Sequence, residues 1–483
     1  MNQDHIIQKV FVEITVNNKE KALDIKEDIN SFLSIDVFPE IEKYINTLEY
    51  ELAGQTLQIP KLALNLDIKS SALDSELKDK IVQLFREELS EISLPAQGLK
   101  QETEDGSKAY LLDQQEKTVQ AFLFFLEKGY MPWWNPERKG TSFLEPAVFD
   151  TMILAKNFEK RILPLLSKQN VQDRMINQLS NEQMARLCLA VLRNKELKIN
   201  LETDMIHHLS TLSHSGRIVI WKLIFNVLSE YLKPSGINNL QEYLVQQLSK
   251  VETAGFTKTK SSRQKWETVV KLFPSMKENE IAECIKNNTK DHSENTKSVM
   301  ETIEIEQRNE SVREDPDEND GQYIQSAGLI LIHPFIKTFF EHCNLLDPKT
   351  QQLLDPELCA HLLHYIATGN TNAPEYDMVF EKFLCNIPMN KSISRHIKLS
   401  RQHKEQAENV IESVQHNWAP MRKSSAALLQ NEFFQRSGKL VITDYDYTLT
   451  VERKTQDILL DKLAWGIGLV KLPWQEKFIF INW

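Results

Sequence analysis

The stretch from residue 250 to 325 most limits how this chain can fold. Lys, Glu, Asn, Thr and Ser dominate it, and Glu310, Glu314, Asp315, Asp317, Glu318 and Asp320 make its end acidic. A segment so poor in apolar side chains cannot bury enough surface to offset the entropy lost on ordering its backbone. It reads as a flexible charged linker, so the chain must build its cores on either side. Trp266, Val269, Val270, Leu272 and Phe273 are its apolar group, enough for a short helix near its start. The whole chain has 483 residues, 41% of them hydrophobic, so both sides are long enough for domains of ordinary size.

Before the linker two patterns alternate. In residues 5–16, Ile6, Val10, Val12, Ile14 and Val16 share one face, with Lys9, Glu13 and Thr15 on the other. In residues 61–69, Leu62, Leu64, Leu66 and Ile68 alternate with Lys61, Asn65, Asp67 and Lys69. Period-two alternation predicts half-buried strands. Between and after them, Ala22, Ile25, Ile29 and Phe32 recur at helical spacing, as do Leu77, Ile81, Leu84 and Leu89. Pro39 is expected to break the first pattern and start a second helix over residues 40–48. Residues 96–112 read as a polar connection. From Gln114 to Leu248 only helical periods occur, including the stripe Val119, Phe122, Leu123 and Leu126, which ends at Gly129 and Pro132.

After the linker, helices are expected around 330–345, 357–367, 376–386, 401–418 and 424–436. Strands are expected at Leu440–Thr443, Tyr447–Glu452, Ile467–Leu472 and Phe478–Ile481. The predicted class is therefore mainly α, multi-domain, with small α+β modules at both ends, a helix-rich centre and a flexible charged linker. The expected domains are an α+β module over 1–95, a helical domain over 113–249, the linker over 250–325 and a second α+β module over 326–483.

Few motifs carry chemistry. Leu440–Leu449 resembles the nucleophile loop of haloacid-dehalogenase-type phosphatases, in which Asp444 would attack and Asp446 would serve as acid and base beside a magnesium ion. Only 35 residues follow Thr448, too few for a doubly wound domain, and Tyr447 stands where a Gly is usual. The flanking alternation instead predicts a hairpin turning at Asp444–Asp446. His333, Cys343, Cys359, His361, His364 and Cys385 are candidate metal ligands, but the cysteines stand singly among apolar residues, where core packing is the default. Glycine-rich phosphate loops and dinucleotide fingerprints are absent. No catalytic, cofactor or metal site is expected. Acidic residues outnumber basic ones, 68 to 57, without a basic cluster, which argues against nucleic acid as a partner. Residues 1–16 lack the layout of a secretory leader, and no apolar run approaches the ~20 residues that span a bilayer, so neither export nor stable membrane insertion is expected. Five cysteines, an odd number, fit reduced thiols.

Certain elements recur in a recognisable order. They are Lys61–Asp67; Phe122-Leu123 with Gly129 and Pro132-Trp133-Trp134; and Leu331-Ile332-His333-Pro334-Phe335. Then come Leu362–Gly369, Pro374-Glu375-Tyr376, Lys382-Phe383-Leu384-Cys385, Asn417-Trp418, Arg436-x-Gly438-Lys439-Leu440, Val451–Lys454 and Asp457–Leu460. Trp465-Gly466-Ile467-Gly468, Leu472-Pro473-Trp474 and Trp483 end the series. Together they resemble the tape measure proteins of contractile injection systems, the phage-tail-like particles of bacteria. Ala464 departs from the pattern, where a Pro is usual before Trp-Gly. The resemblance implies a part in building the particle, setting the length of tube and sheath in contact with tube, baseplate or spike proteins. It implies no catalysis, a cytoplasmic location during assembly and a place inside the assembled particle, and it is compatible with a homo-oligomer. Trp133, Trp134, His333, Pro334, Trp465, Trp474 and Trp483 are its candidate motif or interface residues. Tryptophan serves both core corners and binding hot spots. A ruler must extend, yet no sustained heptads are present. An assembly chaperone or adaptor for the same particle would carry the same features.

Overall fold

The computed structural model describes residues 7–16, 18–49, 56–59, 61–66, 73–91, 110–135, 143–193, 195–232, 268–274 and 321–483, with a few residues between 240 and 247. Residues 96–109, 250–267 and 275–320 of the expected linkers, and the ends of the two alternating segments, lie outside them. The chain divides after Gln120 into two units.

In the first unit, α1 (Lys19–Phe32) starts at Asn18, whose side chain caps the Glu20 N–H. Pro39 does not break the helix. A π-helical turn at Leu33–Val37 leads straight into α2 (Phe38–Glu49), and Pro39 falls in the first turn of α2, where no N–H is missed. A third helix, α3 (Ser75–Glu91), follows. Phe32, Val37, Ile41 and Val82 form the small core. The sheet here is β1 (Thr56–Gln58) paired antiparallel with β2 (Tyr110–Leu112). β2 sits at the end of the expected polar connection, because three residues are too few to show a period. The two alternating segments fare differently from expectation: neither 7–16 nor 61–66 forms a strand. Ile7, Val10, Phe11, Val12 and Ile14 remain exposed, since alternation makes a strand only where a partner strand exists.

In the second unit, helices α4 (Gln114–Lys128, from Ala121 on), α5 (Pro146–Ile153), α6 (Phe158–Ile162), α7 (Gln169–Gln178), α8 (Asn181–Leu192), α9 (Thr203–Thr211) and α10 (His214–Tyr231) make up the helix-rich part. Ser180 and Gln183 form a capping box at the start of α8. Residues 268–272 are helical, and Val269, Leu272 and Phe273 are fully buried. The Leu272 carbonyl accepts the Asn200 N–H at 2.8 Å, and Thr268 meets His208 at 3.0 Å. This apolar group within the polar 250–325 stretch is thus part of the packed body.

The C-terminal part carries α11 (His333–His342), α12 (Pro356–Thr368), α13 (Val379–Leu384), α14 (Arg401–Asn417) and α15 (Ala426–Leu429), the last continued by a π turn at Gln430–Phe434. α12 has Asp355 as its cap, Pro356 in its first turn and left-handed Gly369 at its end. A mixed sheet closes the chain: β3 (Gln322–Ile324), β4 (Gly438–Ile442), β5 (Tyr447–Val451), β7 (Ile479–Asn482) and β6 (Leu469–Val470), in that order. Only the β5–β7 pair is parallel. Leu440, Leu449, Val451, Ile479 and Ile481 point inward onto one large core with Phe340, Leu363, Phe380 and Trp418. A tight approach makes this possible at Gly328. A Cβ there would stand 1.7 Å from the Phe433 carbonyl oxygen, so only glycine fits.

Candidate functional site

Three charged side chains lie inside the second unit with no exposure at all or almost none: Arg174 of α7, Glu375 of the 3-10 turn Glu375–Asp377, and Lys382 of α13. Glu375 takes Arg174 Nε on one carboxylate oxygen at 3.2 Å and Lys382 Nζ on the other at 2.6 Å. The remaining donors are spent on backbone. Arg174 reaches the Leu126 and Asn390 carbonyls at 2.5 and 2.6 Å, and Lys382 reaches Met389 and Lys391 at 2.9 and 2.6 Å. Burial pushes the Lys382 ammonium below its usual range, against the Glu375 carboxylate, which raises it. Removing charges from water is costly, and full hydrogen bonding is what makes it tolerable here.

The cluster joins distant parts of the chain. Gln178 accepts the Glu375 N–H at 2.9 Å and donates to the Ile393 carbonyl at 2.8 Å. Asn177 bonds Ser392 at 3.1 Å, and Tyr376 packs edge-on against Phe125 at 5.2 Å. Gly129 forms the wall. Its φ is +87°, and a Cβ would meet Arg174 and Glu375 side-chain atoms at 2.7 Å each.

A second buried group lies nearby in sequence. His364 Nδ1 stands 3.0 Å from Glu381 Oε1, while Glu381 Oε2 is buried without a hydrogen-bond partner among the described residues. Asp377 is pushed up to about 6, by burial first, with Glu381 adding to it and His364 and Arg395 opposing it. His361 Nε2 donates to the Ser394 carbonyl at 2.7 Å. Burial raises the Cys343 thiol to about 11 and the Cys359 and Cys385 thiols further, so all three stay protonated at neutral pH. His333 lies elsewhere, on the Gly466 carbonyl. Among the described residues no three His, Cys, Asp or Glu side chains are arranged to hold a metal ion.

Asp444 and Asp446 occupy the turn between β4 and β5. Thr443 Oγ1 donates to Asp446 Oδ1 at 2.8 Å, and the strands run antiparallel on either side. That is the hairpin read from the alternation; a doubly wound phosphatase would need a parallel continuation.

The aromatic residues of the C-terminal part act as pins. Trp465 donates to the Leu331 carbonyl at 3.0 Å and packs edge-on against Phe335, while His333 donates to Gly466 at 3.1 Å. Trp474, buried against Phe340, donates to Leu384 at 2.7 Å. Trp483 donates to Asp457 at 3.1 Å, and Asp457 also holds the fully buried Arg436 at 2.8 Å. Pro334 sits in the first turn of α11. Trp133 and Trp134 are half-buried in a turn closed by Asn135 N–H on the Pro132 carbonyl.

Compared with known families, residues 4–483 match the one described as contractile injection system tape measure protein. The chain belongs to that family. No curated protein and no solved structure matches it. The elements that resembled this tape measure family now have physical roles. Gly129, Glu375 and Lys382 form the buried cluster, and Arg436 and Asp457 lock the chain end through Trp483. Arg174 belonged to no motif. Its sequence signal was a charge on the apolar stripe of α7, where Val171, Met175 and Gln178 are also buried. No helix among the described residues is long and apolar enough to cross a membrane.

Proposed function

We propose that this chain sets the length of tube and sheath during assembly of a contractile particle, touching tube, baseplate or spike proteins, without catalysis of its own. The observation that carries the reading is the family match, which runs over essentially the whole chain. On this reading the chain works in the cytoplasm while the particle is built and remains inside it afterwards. Trp133, Trp134 and the exposed Pro334 are available for partner contacts. Trp465, Trp474 and Trp483 act behind that surface by holding it in shape.

A specific observation favours a second reading, an assembly adaptor that leaves before completion. The Arg174–Glu375 bond spans 201 residues of sequence and folds the second unit back on itself. A ruler gains length instead, at ~1.5 Å per helical residue or ~3.3 Å per extended one. Quantitative mass spectrometry of gradient-purified, mature particles separates the two. A fixed number of chains per particle supports the ruler. Loss of the chain from mature particles, with its presence in unfinished ones, supports the adaptor.

A further inference from the structure

The five-stranded sheet packs one face on the core through Leu440, Leu449, Ile479 and Ile481. The other face of such a sheet is normally polar. Here the strand registers set Val441, Thr448, Phe480 and Leu469 in one outward row across β4, β5, β7 and β6. Tyr323 on β3 and Phe478, just before β7, fall on the same side of the pleat. Leu469, Phe480, Phe478 and Tyr323 are 45 to 52% exposed. Apolar surface gathered in this way marks an interaction site more often than isolated exposed residues do. The outward positions of these strands carry one charge, Lys439, and no carboxylate. Lys439 lies over the Tyr323 ring at 5.5 Å, and Lys471, which follows β6, lies over the Phe478 ring at 5.2 Å. Lys471 also donates to the Glu476 carbonyl, and among the described residues neither lysine has a carboxylate partner.

We propose that the outward face of this sheet docks an acidic amphipathic helix of a partner protein. A sheet face buries its apolar residues against a helix or a second sheet. The lysines decide between the two. A second copy of this chain laid on the face would bring both pairs of lysines into one interface, with no carboxylate to meet them. A helix whose apolar stripe is flanked by Glu or Asp meets Lys439 at the β4 margin of the row and Lys471 at the β6 margin. The dimensions agree. The row spans about 14 Å at the usual spacing of strands, and a helix ~10 Å across, running along the strands, covers most of it. Addition of a partner strand beside β6 fits less well, because β6 offers only two residues. The proposal does not rest on the length-setting role.

The test titrates the purified full chain into two labelled, designed helical peptides and reads fluorescence anisotropy. Both peptides carry a leucine stripe at helical spacing; glutamates flank it in one and lysines in the other. At low salt the glutamate peptide binds about five-fold tighter than the lysine peptide. Phe480→Thr with Leu469→Thr, which keeps residues suited to a strand, weakens binding about ten-fold. Lys439→Glu with Lys471→Glu reverses the preference between the peptides. Tyr445→Ala, at the hairpin tip, leaves binding unchanged. The charge variants carry the test should the threonine pair melt below the native chain. Absence of binding by the glutamate peptide overturns the proposal, as does equal binding of the two peptides or a preference indifferent to the lysine reversal. In cells that assemble the particle, p-benzoylphenylalanine in place of Phe480 is expected to crosslink to an acidic helix of another protein. A crosslink confined to the same chain, to a second copy or to lipid overturns the proposal as well.

Discussion

Residues 7–16 and residues 438–451 alternate apolar and polar side chains in the same way, and their surroundings could hardly differ more. The second stretch is the β4–β5 hairpin, with β3 on one side and β7 on the other, and its Leu440 and Leu449 are completely buried. Among the described residues the first has no strand beside it, and it leaves Phe11 in water. The difference is the supply of partners. β7 is delivered from the chain end and pinned there by Trp483 on Asp457, with Arg436 and Arg453 behind it. Alternation states which faces a strand would have; a neighbouring strand decides whether it exists.

The strongest way to break this comparison is to place the same charge in both stretches. Leu449→Asp should cost about 3–5 kcal/mol in urea unfolding, because a carboxylate would enter the core beside Ile481. Its counterpart Val12→Asp closes the series with a change within about 0.5 kcal/mol. Similar losses would show that residues 7–16 are packed after all.

Glu375→Gln tests the wiring on which the second unit depends. It leaves Arg174 and Lys382 buried without their shared anion, and a loss of about 3–5 kcal/mol is expected. A change below about 1 kcal/mol would mean that water enters the cluster. Gly129→Ala, read by the same unfolding curves, should cost about 2–3 kcal/mol through its left-handed backbone and the crowding of its Cβ on Arg174.

Asp377 gives a smaller, pH-dependent effect. Its carboxyl titrates near 6 in the folded chain, against an ordinary value of 3.8. Below the ordinary value both states hold the proton and nothing is lost. As pH rises toward 6 the unfolded chain ionises first, so the contribution of Asp377 to stability falls and stays low above 6. Asp377→Asn should therefore raise stability at pH 7 to 8 by about 1–2 kcal/mol, allowing for its partial exposure, and change little below pH 4. Melting temperatures of both forms across that range check the sign.

Much of the fold was legible because it is local. Helical spacing located α1, α3, α12 and α14 within a few residues, and Asp444–Asp446 between two alternating runs marked a hairpin turn. β2 and β3 escaped notice, being three residues each in polar surroundings. The buried cluster was legible only in part. Gly129, Glu375 and Lys382 stood out as motif members, but nothing near Glu375 in sequence announces Arg174, 201 residues away. Polar residues on apolar stripes are the trace such clusters leave, and their partners emerge only when the chain is folded.

The length-setting role can be tested most directly by changing the chain and measuring the particle. Residues 275–320 leave out both the packed turn at 268–272 and strand β3. Duplicating them adds up to about 150 Å of contour. Tube lengths in negative-stain electron micrographs should shift upward as one narrow population. Unchanged lengths in particles that retain the altered chain would contradict the role.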